Sequence, residues 1–197
     1  MQCRKIGILL FNEVEVLDFA GPFEVFSITE NKEGNGKAFK VHTVARTKEI
    51  ISARNGLKVQ PDYDFKDAPQ FDILIIPGGY GAEKIEIHNQ ETIEWIRLRA
   101  HEVKILASVC TGAFLLAEAG LLDGIQATTH WMDINRLKRE YPLVKVLRDV
   151  KYVDAGNIIT SGGISAGINM SFYIIKELLG EDIAKATAKR MEYDINI

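Results

Sequence analysis

The chain has 197 residues, a formal net charge of −3 and 47% hydrophobic residues, enough for one buried core, so we expect a single domain over residues 1–197. The mild acidity and scattered Lys and Arg argue against a nucleic-acid-binding surface. The two cysteines lie far apart, and the first apolar run, Ile6 to Phe11, is too short for a signal or a membrane span. We therefore expect a cytoplasmic protein without nucleic-acid or membrane contacts.

Short apolar runs alternate with helical patterns over the first 119 residues. Nearly continuous apolar runs are typical of strands that are covered on both faces of a parallel sheet. The predicted strands are Lys5–Phe11, Lys40–Ala45, Asp72–Ile76 and Lys104–Ser108, and the predicted helices are Phe19–Thr29, Gln90–Ala100 and Thr111–Ala119. This alternation indicates an α/β layered domain.

The pattern changes in the C-terminal part of the chain. Val144–Thr160 contains three short β-like pieces separated by turn residues, which predicts a small antiparallel flank. Apolar residues then recur at three- and four-residue steps over Gly163–Leu179, which predicts a buried helix. A more polar helix is predicted over Glu181–Met191.

Cys110 lies where the fourth predicted strand must turn abruptly into a helix, in the sequence Ser108-Val-Cys-Thr-Gly112. Small residues on both sides of a central reactive residue are typical of a nucleophile elbow, which exposes the middle side chain at the carboxyl edge of the sheet. At the first turn of a helix, backbone N–H groups would favour the thiolate. The alternative is an inert core thiol, the usual state of a free cysteine. Cys3 has no such setting and is interpreted as structural.

A glycine cluster follows the third predicted strand, in Ile76-Pro-Gly-Gly-Tyr80-Gly. Neither a dinucleotide-binding nor a P-loop pattern is present, which disfavours a nucleotide site. We expect the N–H groups of Gly78 and Gly79 to point into the crevice and to form an oxyanion hole with the N–H of Thr111. The alternative is a plain β-turn.

Asp18 follows the first predicted strand and is a candidate proton donor or general base facing Cys110, or else a helix N-cap. Glu13 and Glu15 alternate with apolar residues, so we expect both to be solvated. His130, at the start of a further helical pattern, is either the partner of Cys110 in a dyad or a structural histidine. The histidines and cysteines lack metal-ligand spacing, so we expect no metal and no cofactor.

Five motifs, in this order, resemble those of the ThiJ/PfpI superfamily: Asp18-Phe-Ala-Gly-Pro22, Ile76-Pro-Gly-Gly79, Ser108-Val-Cys-Thr-Gly112, Thr129-His-Trp131 and Thr160-Ser-Gly-Gly-Ile-Ser-Ala-Gly167. The resemblance runs over essentially the whole chain. It implies a flavodoxin-like three-layer α/β sandwich with a mainly parallel central sheet, related to class I glutamine amidotransferases. It also implies a homodimer and a reactive cysteine at the elbow.

Within that superfamily the sequence is most similar to the isonitrile hydratase branch and to the amidotransferase-like domain of AraC-type regulators. The resemblance implies that Cys110 is the nucleophile, that Asp18 handles protons, and that the N–H groups of Gly79 and Thr111 stabilise developing negative charge. Thr111 stands where protease-like members have a histidine, which disfavours peptidase chemistry. Asn169 replaces an Asp that is common in this branch, and we expect an effect on substrate choice.

The leading hypothesis is a cysteine-dependent hydratase or hydrolase of a small molecule, in its specific form converting an isonitrile to an N-substituted formamide. The alternatives are a glutathione-independent glyoxalase or α-oxoaldehyde hydratase, and a non-enzymatic oxidation or ligand sensor. The residues after the last predicted helix are too few for a helix-turn-helix region, so a stand-alone enzyme is favoured over a transcription factor. We expect Tyr80, Trp131 and Ile164 to line the crevice.

Overall fold

A computed structural model describes residues 3–195 as a three-layer α/β sandwich, which confirms the predicted fold class. The strands are β1 (Arg4–Leu9), β2 (Phe39–Ala45), β3 (Ile51–Ser52), β4 (Lys58–Val59), β5 (Tyr63–Asp64), β6 (Ile73–Ile76), β7 (Ile105–Ser108), β8 (Gln126–Ala127), β9 (Lys145–Val146), β10 (Tyr152–Asp154) and β11 (Ile158–Ser161). The helices are α1 (Val16–Ile28), α2 (Tyr80–Lys84), α3 (Gln90–Ala100), α4 (Gly112–Glu118), α5 (Ile134–Glu140), α6 (Ala166–Leu179) and α7 (Glu181–Arg190). Within the same residues, none of the helices is both long and apolar enough to cross a lipid bilayer.

The central sheet has the strand order β10-β11-β7-β6-β1-β2-β5, and all of its pairings are parallel except that of β10 with β11. The four longest predicted strands form its interior, where β1 and β6 are apolar enough to be buried on both faces. Helices α1, α6 and α7 pack together on one face, and α2, α3 and α4 pack on the other. The hydrophobic core therefore lies on both sides of the sheet.

The predicted antiparallel flank is smaller than expected. Only β10 is antiparallel to the central sheet, while its neighbour β11 continues the parallel order beside β7. The remaining piece, β9, pairs in parallel with β8 in a separate two-stranded sheet. A second antiparallel pair, β3 with β4, lies in a segment for which we predicted no strand.

The strand order places the carboxyl ends of β1, β6 and β7 side by side. Ile8 pairs with Ile75 across β1 and β6, and Ile76 pairs with Ser108 across β6 and β7. The loops that follow these three strands therefore meet at one edge of the sheet, which is the usual ligand-binding crevice of an open α/β fold.

Candidate active site

Cys110 lies two residues beyond β7 with a backbone φ of 56°, in the left-handed region that non-glycine residues rarely occupy. Thr111 caps α4, so the chain passes from strand to helix within three residues. The positive φ and the abrupt turn are those of a nucleophile elbow. The abrupt turn at Cys110 is the geometry that the sequence spacing predicted, although the side chain is buried rather than exposed.

Hydrogen bonds on both sides hold this elbow in place. The Cys110 N–H donates to the carbonyl oxygens of Ser161 at 3.2 Å and Gly162 at 3.1 Å. The Cys110 carbonyl accepts a hydrogen bond from the Thr129 hydroxyl at 2.9 Å. Because these partners come from the end of β11 and from the segment after β8, the surrounding structure fixes the strained conformation.

Asp18 lies in the first turn of α1 and is fully buried. Its Oδ2 accepts a hydrogen bond from the Gly78 N–H at 2.9 Å, while its Oδ1 has no hydrogen-bonding partner. The N-cap position of α1 belongs to Glu15, so the N-cap alternative for Asp18 is wrong. An incompletely paired, fully buried carboxyl is costly to ionise, and it is unusual outside functional sites.

Burial raises the pKa of the Asp18 carboxyl to about 7, and the Glu15 charge adds to this effect. The Gly78 hydrogen bond and the neighbouring Cys110 thiol oppose the rise. The thiol lies close enough to Asp18 to lower the pKa of its carboxyl, although Oδ1 has no hydrogen-bonding partner. Asp18 is therefore poised to exchange a proton near neutral pH.

We expected the surroundings of Cys110 to favour its thiolate, and this expectation is wrong. Burial raises the pKa of Cys110 well above its ordinary value, and the negative charge of Asp18 raises it further. These two effects outweigh the helix terminus, since α4 has only 7 residues and the side chain is removed from water. At neutral pH the thiol therefore keeps its proton, while the Asp18 carboxyl is partly protonated.

The predicted N–H groups of the oxyanion hole are partly occupied. The Gly78 N–H donates to Asp18, and the Gly79 N–H donates to the Thr111 hydroxyl oxygen at 2.9 Å. Both glycines are required by close packing: a Cβ at Gly78 would lie 2.5 Å from the Thr111 nitrogen, and one at Gly79, with φ 115°, would lie 2.4 Å from the Glu15 nitrogen. These glycines support Asp18 and Thr111 instead of offering free donors.

Two other backbone donors face the sulfur. The N–H groups of Thr111 and Ile164 both lower the pKa of Cys110, and the Ile164 N–H also lowers that of Asp18. Ile164 has a φ of 52°, which is a strained conformation for a β-branched residue. Thr111 is the predicted donor that the geometry retains, and Ile164 is a donor that we predicted only as a side-chain contact.

The elbow opens into a cavity of about 410 Å³, hereafter the Cys110 cavity. It is lined by Glu15, Arg54, Gly79, Tyr80, Glu83, Cys110, Thr111, His130, Met132, Asp133 and Ile164. The predicted contacts Tyr80, His130 and Ile164 lie in this lining. Trp131 does not, because its side chain is 77% exposed on the outer surface and its neighbour Met132 faces the cavity instead.

Several residues that line the cavity were not predicted from the sequence. Glu15 was expected to be solvated, but it is half-buried and lines the cavity. Arg54 reaches the cavity from the connection between β3 and β4, and Glu83 reaches it from α2. No local sequence signal marks these residues, because each comes from an element remote in sequence from the elbow.

The remaining sequence candidates lie away from this site. Cys3 is exposed at the amino end of β1, opposite to the edge that carries the elbow. Asn169 is buried in α6 and is not part of the cavity lining. Within residues 3–195, no group of three or more His, Cys, Asp or Glu side chains is arranged to hold a metal ion.

Comparison with known proteins agrees with this geometry. A sequence model of the DJ-1/PfpI family matches residues 4–177. The chain belongs to the DJ-1/PfpI family. It is 34% identical to an isonitrile hydratase from Pseudomonas putida, over 96% of this chain and 78% of that protein. A solved ThiJ/PfpI family protein from Pseudomonas syringae superposes with a TM-score of 0.87 at 27% identity, covering 100% of this chain and 78% of that one.

Transcriptional regulators are also among the relatives. The chain is 26% identical to the HTH-type transcriptional regulator GbdR of Pseudomonas aeruginosa, over 97% of this chain and 51% of the regulator. The chain thus spans about half the length of this regulator. The relatives of this chain therefore include both an enzyme and a transcriptional regulator.

Proposed function

We propose that this protein is a cysteine-dependent hydratase of a small molecule, and that it converts an isonitrile to an N-substituted formamide. The observation that carries the proposal is Cys110 on a strained elbow at the Cys110 cavity, paired with a buried Asp18 that titrates near neutral pH. The similarity to an isonitrile hydratase over nearly the whole chain supports this choice of reaction.

The first half of the reaction needs one nucleophile and one proton. As the sulfur attacks the terminal isonitrile carbon, the thiol proton passes to Asp18, and the protonated Asp18 delivers it to the same carbon. The product is a neutral thioimidate bound to Cys110, with Asp18 left as the carboxylate. An acid with a pKa of about 7 suits both directions of transfer at neutral pH.

Water completes the reaction. The Asp18 carboxylate takes one proton from water while the hydroxide adds to the thioimidate carbon, and that proton passes to the nitrogen. Collapse of this adduct forms the formamide carbonyl, expels the Cys110 thiolate and returns the hydroxyl proton to the pair. The N–H groups of Thr111 and Ile164 face the sulfur and stabilise the thiolate as it leaves.

The test is formamide formation from a neutral alkyl isonitrile, measured by mass spectrometry with wild type, Cys110→Ala and Cys3→Ala. Wild type and Cys3→Ala are expected to turn over, because Cys3 lies at the opposite end of the sheet. Cys110→Ala should be inactive. Absence of turnover by the wild type would reject the isonitrile reaction.

A second candidate, glutathione-independent conversion of an α-oxoaldehyde, is supported by His130. This imidazole lines the Cys110 cavity, and its Nδ1 lies 3.6 Å from the Asp133 carboxylate. Proton transfer between adjacent carbons of a hemithioacetal requires such a base. Production of lactate from methylglyoxal without added glutathione, lost in His130→Gln, would favour this reaction over isonitrile hydration.

A sensing role remains the non-enzymatic alternative, supported by similarity to transcriptional regulators. It predicts that oxidation of Cys110 changes a binding property while no substrate is turned over. Stable turnover that is abolished in Asp18→Asn would reject it, because a sensor requires no proton cycle.

The proposed partners are a small-molecule substrate and a second copy of the chain, rather than nucleic acid or a membrane. A homodimer is supported by Leu17 and Phe23, two apolar side chains that α1 leaves exposed at the surface. Sedimentation equilibrium of wild type and Phe23→Glu tests this assembly. A cytoplasmic location is proposed on the basis of the free Cys110, which a reducing compartment would protect.

A further inference from the structure

We infer that the Cys110 cavity selects small molecules that carry a positive charge, and that Glu15 is the main determinant of this preference. The inference deepens the proposed function, because it assigns a charge class to the substrate of the same site. It depends on the cavity and its thiol, and not on the isonitrile reaction itself.

The ionisable groups around the cavity do not balance. Glu15, Glu83 and Asp133 line it, whereas Arg54 is the one lining residue with a permanent positive charge among residues 3–195. Arg54 is itself engaged, since its Nη1 lies 3.2 Å from Glu13 and its guanidinium lies 5.6 Å from the centre of the Tyr80 ring. Its charge is therefore largely compensated from outside the cavity.

Two of the lining carboxylates have partners of their own. Arg136 lies 2.7 Å from Glu83 and 3.8 Å from Asp133, and His130 lies 3.6 Å from Asp133. Arg136 is not itself part of the lining, and it also lies 3.1 Å from Glu140, so its single positive charge compensates these two acids only in part.

Glu15 differs from the other two. Within residues 3–195 no basic side chain forms an ion pair with its carboxylate at 4.0 Å or less. It caps α1 three residues before Asp18, and its charge is felt by that buried acid. A carboxylate that lines the cavity without a basic side chain as partner attracts a cation and repels an anion.

The negative potential extends to the reacting groups. Four carboxylates, Glu13, Glu15, Glu83 and Asp133, face only two guanidinium groups, Arg54 and Arg136. The Asp18–Cys110 pair adds one further negative charge when it holds a single proton. A substrate bearing a carboxylate or phosphate would therefore be disfavoured, and an ammonium or guanidinium group attached to the reactive group would be favoured.

The test uses three methanethiosulfonates of similar size, bearing a trimethylammonium, a sulfonate or no charge. In each, the Cys110 thiol loses its proton to solvent, the sulfur attacks the sulfenyl sulfur, a disulfide forms and methanesulfinate leaves with the bonding electrons. Rates are measured in a Cys3→Ser background and divided by those of a small free thiol. We expect the corrected rate of the cationic reagent to exceed that of the anionic reagent about tenfold or more.

Glu15→Gln should reduce this ratio about threefold or more while changing the rate of the neutral reagent much less. The matched control is Glu177→Gln, which removes an exposed charge at the far end of α6, outside the cavity lining. A second measurement needs no variant: the wild-type ratio should fall toward that of the free thiol as salt is raised to about 1 M.

A ratio equal to that of the free thiol, or one that favours the anion, would overturn the inference, as would an unchanged ratio in Glu15→Gln. None of these outcomes requires isonitrile turnover. A cationic preference without any isonitrile hydration would therefore reject the proposed reaction and leave the charge selectivity standing.

Discussion

Replacing Asp18 by Asn tests the raised pKa of this buried carboxyl through the pH dependence of stability. The pKa of Asp18 is about 7 in the folded chain, against an ordinary value of 3.8. Between these values the folded protein binds more protons than the unfolded chain, so the free energy of unfolding falls as the pH rises through this window. Asn cannot titrate and should remove that part of the fall.

The size of the effect follows from the two pKa values. One pKa unit corresponds to about 1.4 kcal/mol, and integration from about pH 5 to about pH 8 gives a loss of about 2 to 3 kcal/mol for wild type. Asp18 is fully buried, so solvent screening does not reduce this figure substantially. The amide of Asp18→Asn retains an oxygen for the Gly78 N–H, so packing is preserved.

The assay is urea unfolding of both proteins at the two pH values. The stability of Asp18→Asn relative to wild type should rise by about 2 to 3 kcal/mol between about pH 5 and about pH 8. The histidines titrate in both proteins, and their contributions cancel in the difference. A relative stability that is the same at both pH values would show that Asp18 is ionised throughout, and would refute the raised pKa of its buried carboxyl.

Three further changes probe the site. Asp18→Asn should shift the alkylation midpoint of Cys110 to lower pH, because a negative charge beside the thiol is removed. The same change should slow isonitrile turnover about 100-fold or more. An unshifted midpoint or an undiminished turnover would contradict these roles of Asp18. Thr111→Val should cost about 1 to 3 kcal/mol in urea unfolding, because the buried Gly79 N–H loses its acceptor, whereas Thr111→Ser should retain most of the stability. His130→Gln should change isonitrile turnover by less than about tenfold, since the proton cycle uses Asp18, and a larger loss would assign the imidazole to the reaction.

The main strands were predictable because burial on both faces leaves a nearly continuous apolar run. Each of the four predicted strands begins and ends within two residues of an observed one. The two-residue strands β3, β4, β5 and β8 were not predictable, since so short a segment carries no periodicity. Helix α1 begins at Val16, three residues earlier than predicted, because Glu15 and not Asp18 is its N-cap.

The elbow was predictable because its spacing is a local property of the chain. The positive φ of Cys110 follows from that spacing. The pKa of the thiol was not predictable, since it depends on burial and on Asp18, which is remote in sequence. The occupied N–H groups of Gly78 and Gly79 depend in the same way on side chains that only the folded structure brings to them.

The charged residues around the cavity were the feature least predictable from the sequence. Arg54, Glu83 and Asp133 belong to three different segments, and each is an ordinary charged residue in its own context. Glu15 was assigned to solvent because it alternates with apolar residues, whereas it lines the cavity, and a turn with φ 61° lies two residues earlier at Glu13. Hydrophobic periodicity does not predict which way a side chain points where a turn interrupts the pattern.

The most direct test of the central claim is mass spectrometry of wild type quenched during its first turnover of a neutral alkyl isonitrile. We predict an adduct equal in mass to protein plus isonitrile, located on the peptide that contains Cys110 and absent from the peptide that contains Cys3, before formamide accumulates. Formamide that forms at an undiminished rate in Cys110→Ala would contradict covalent catalysis by Cys110.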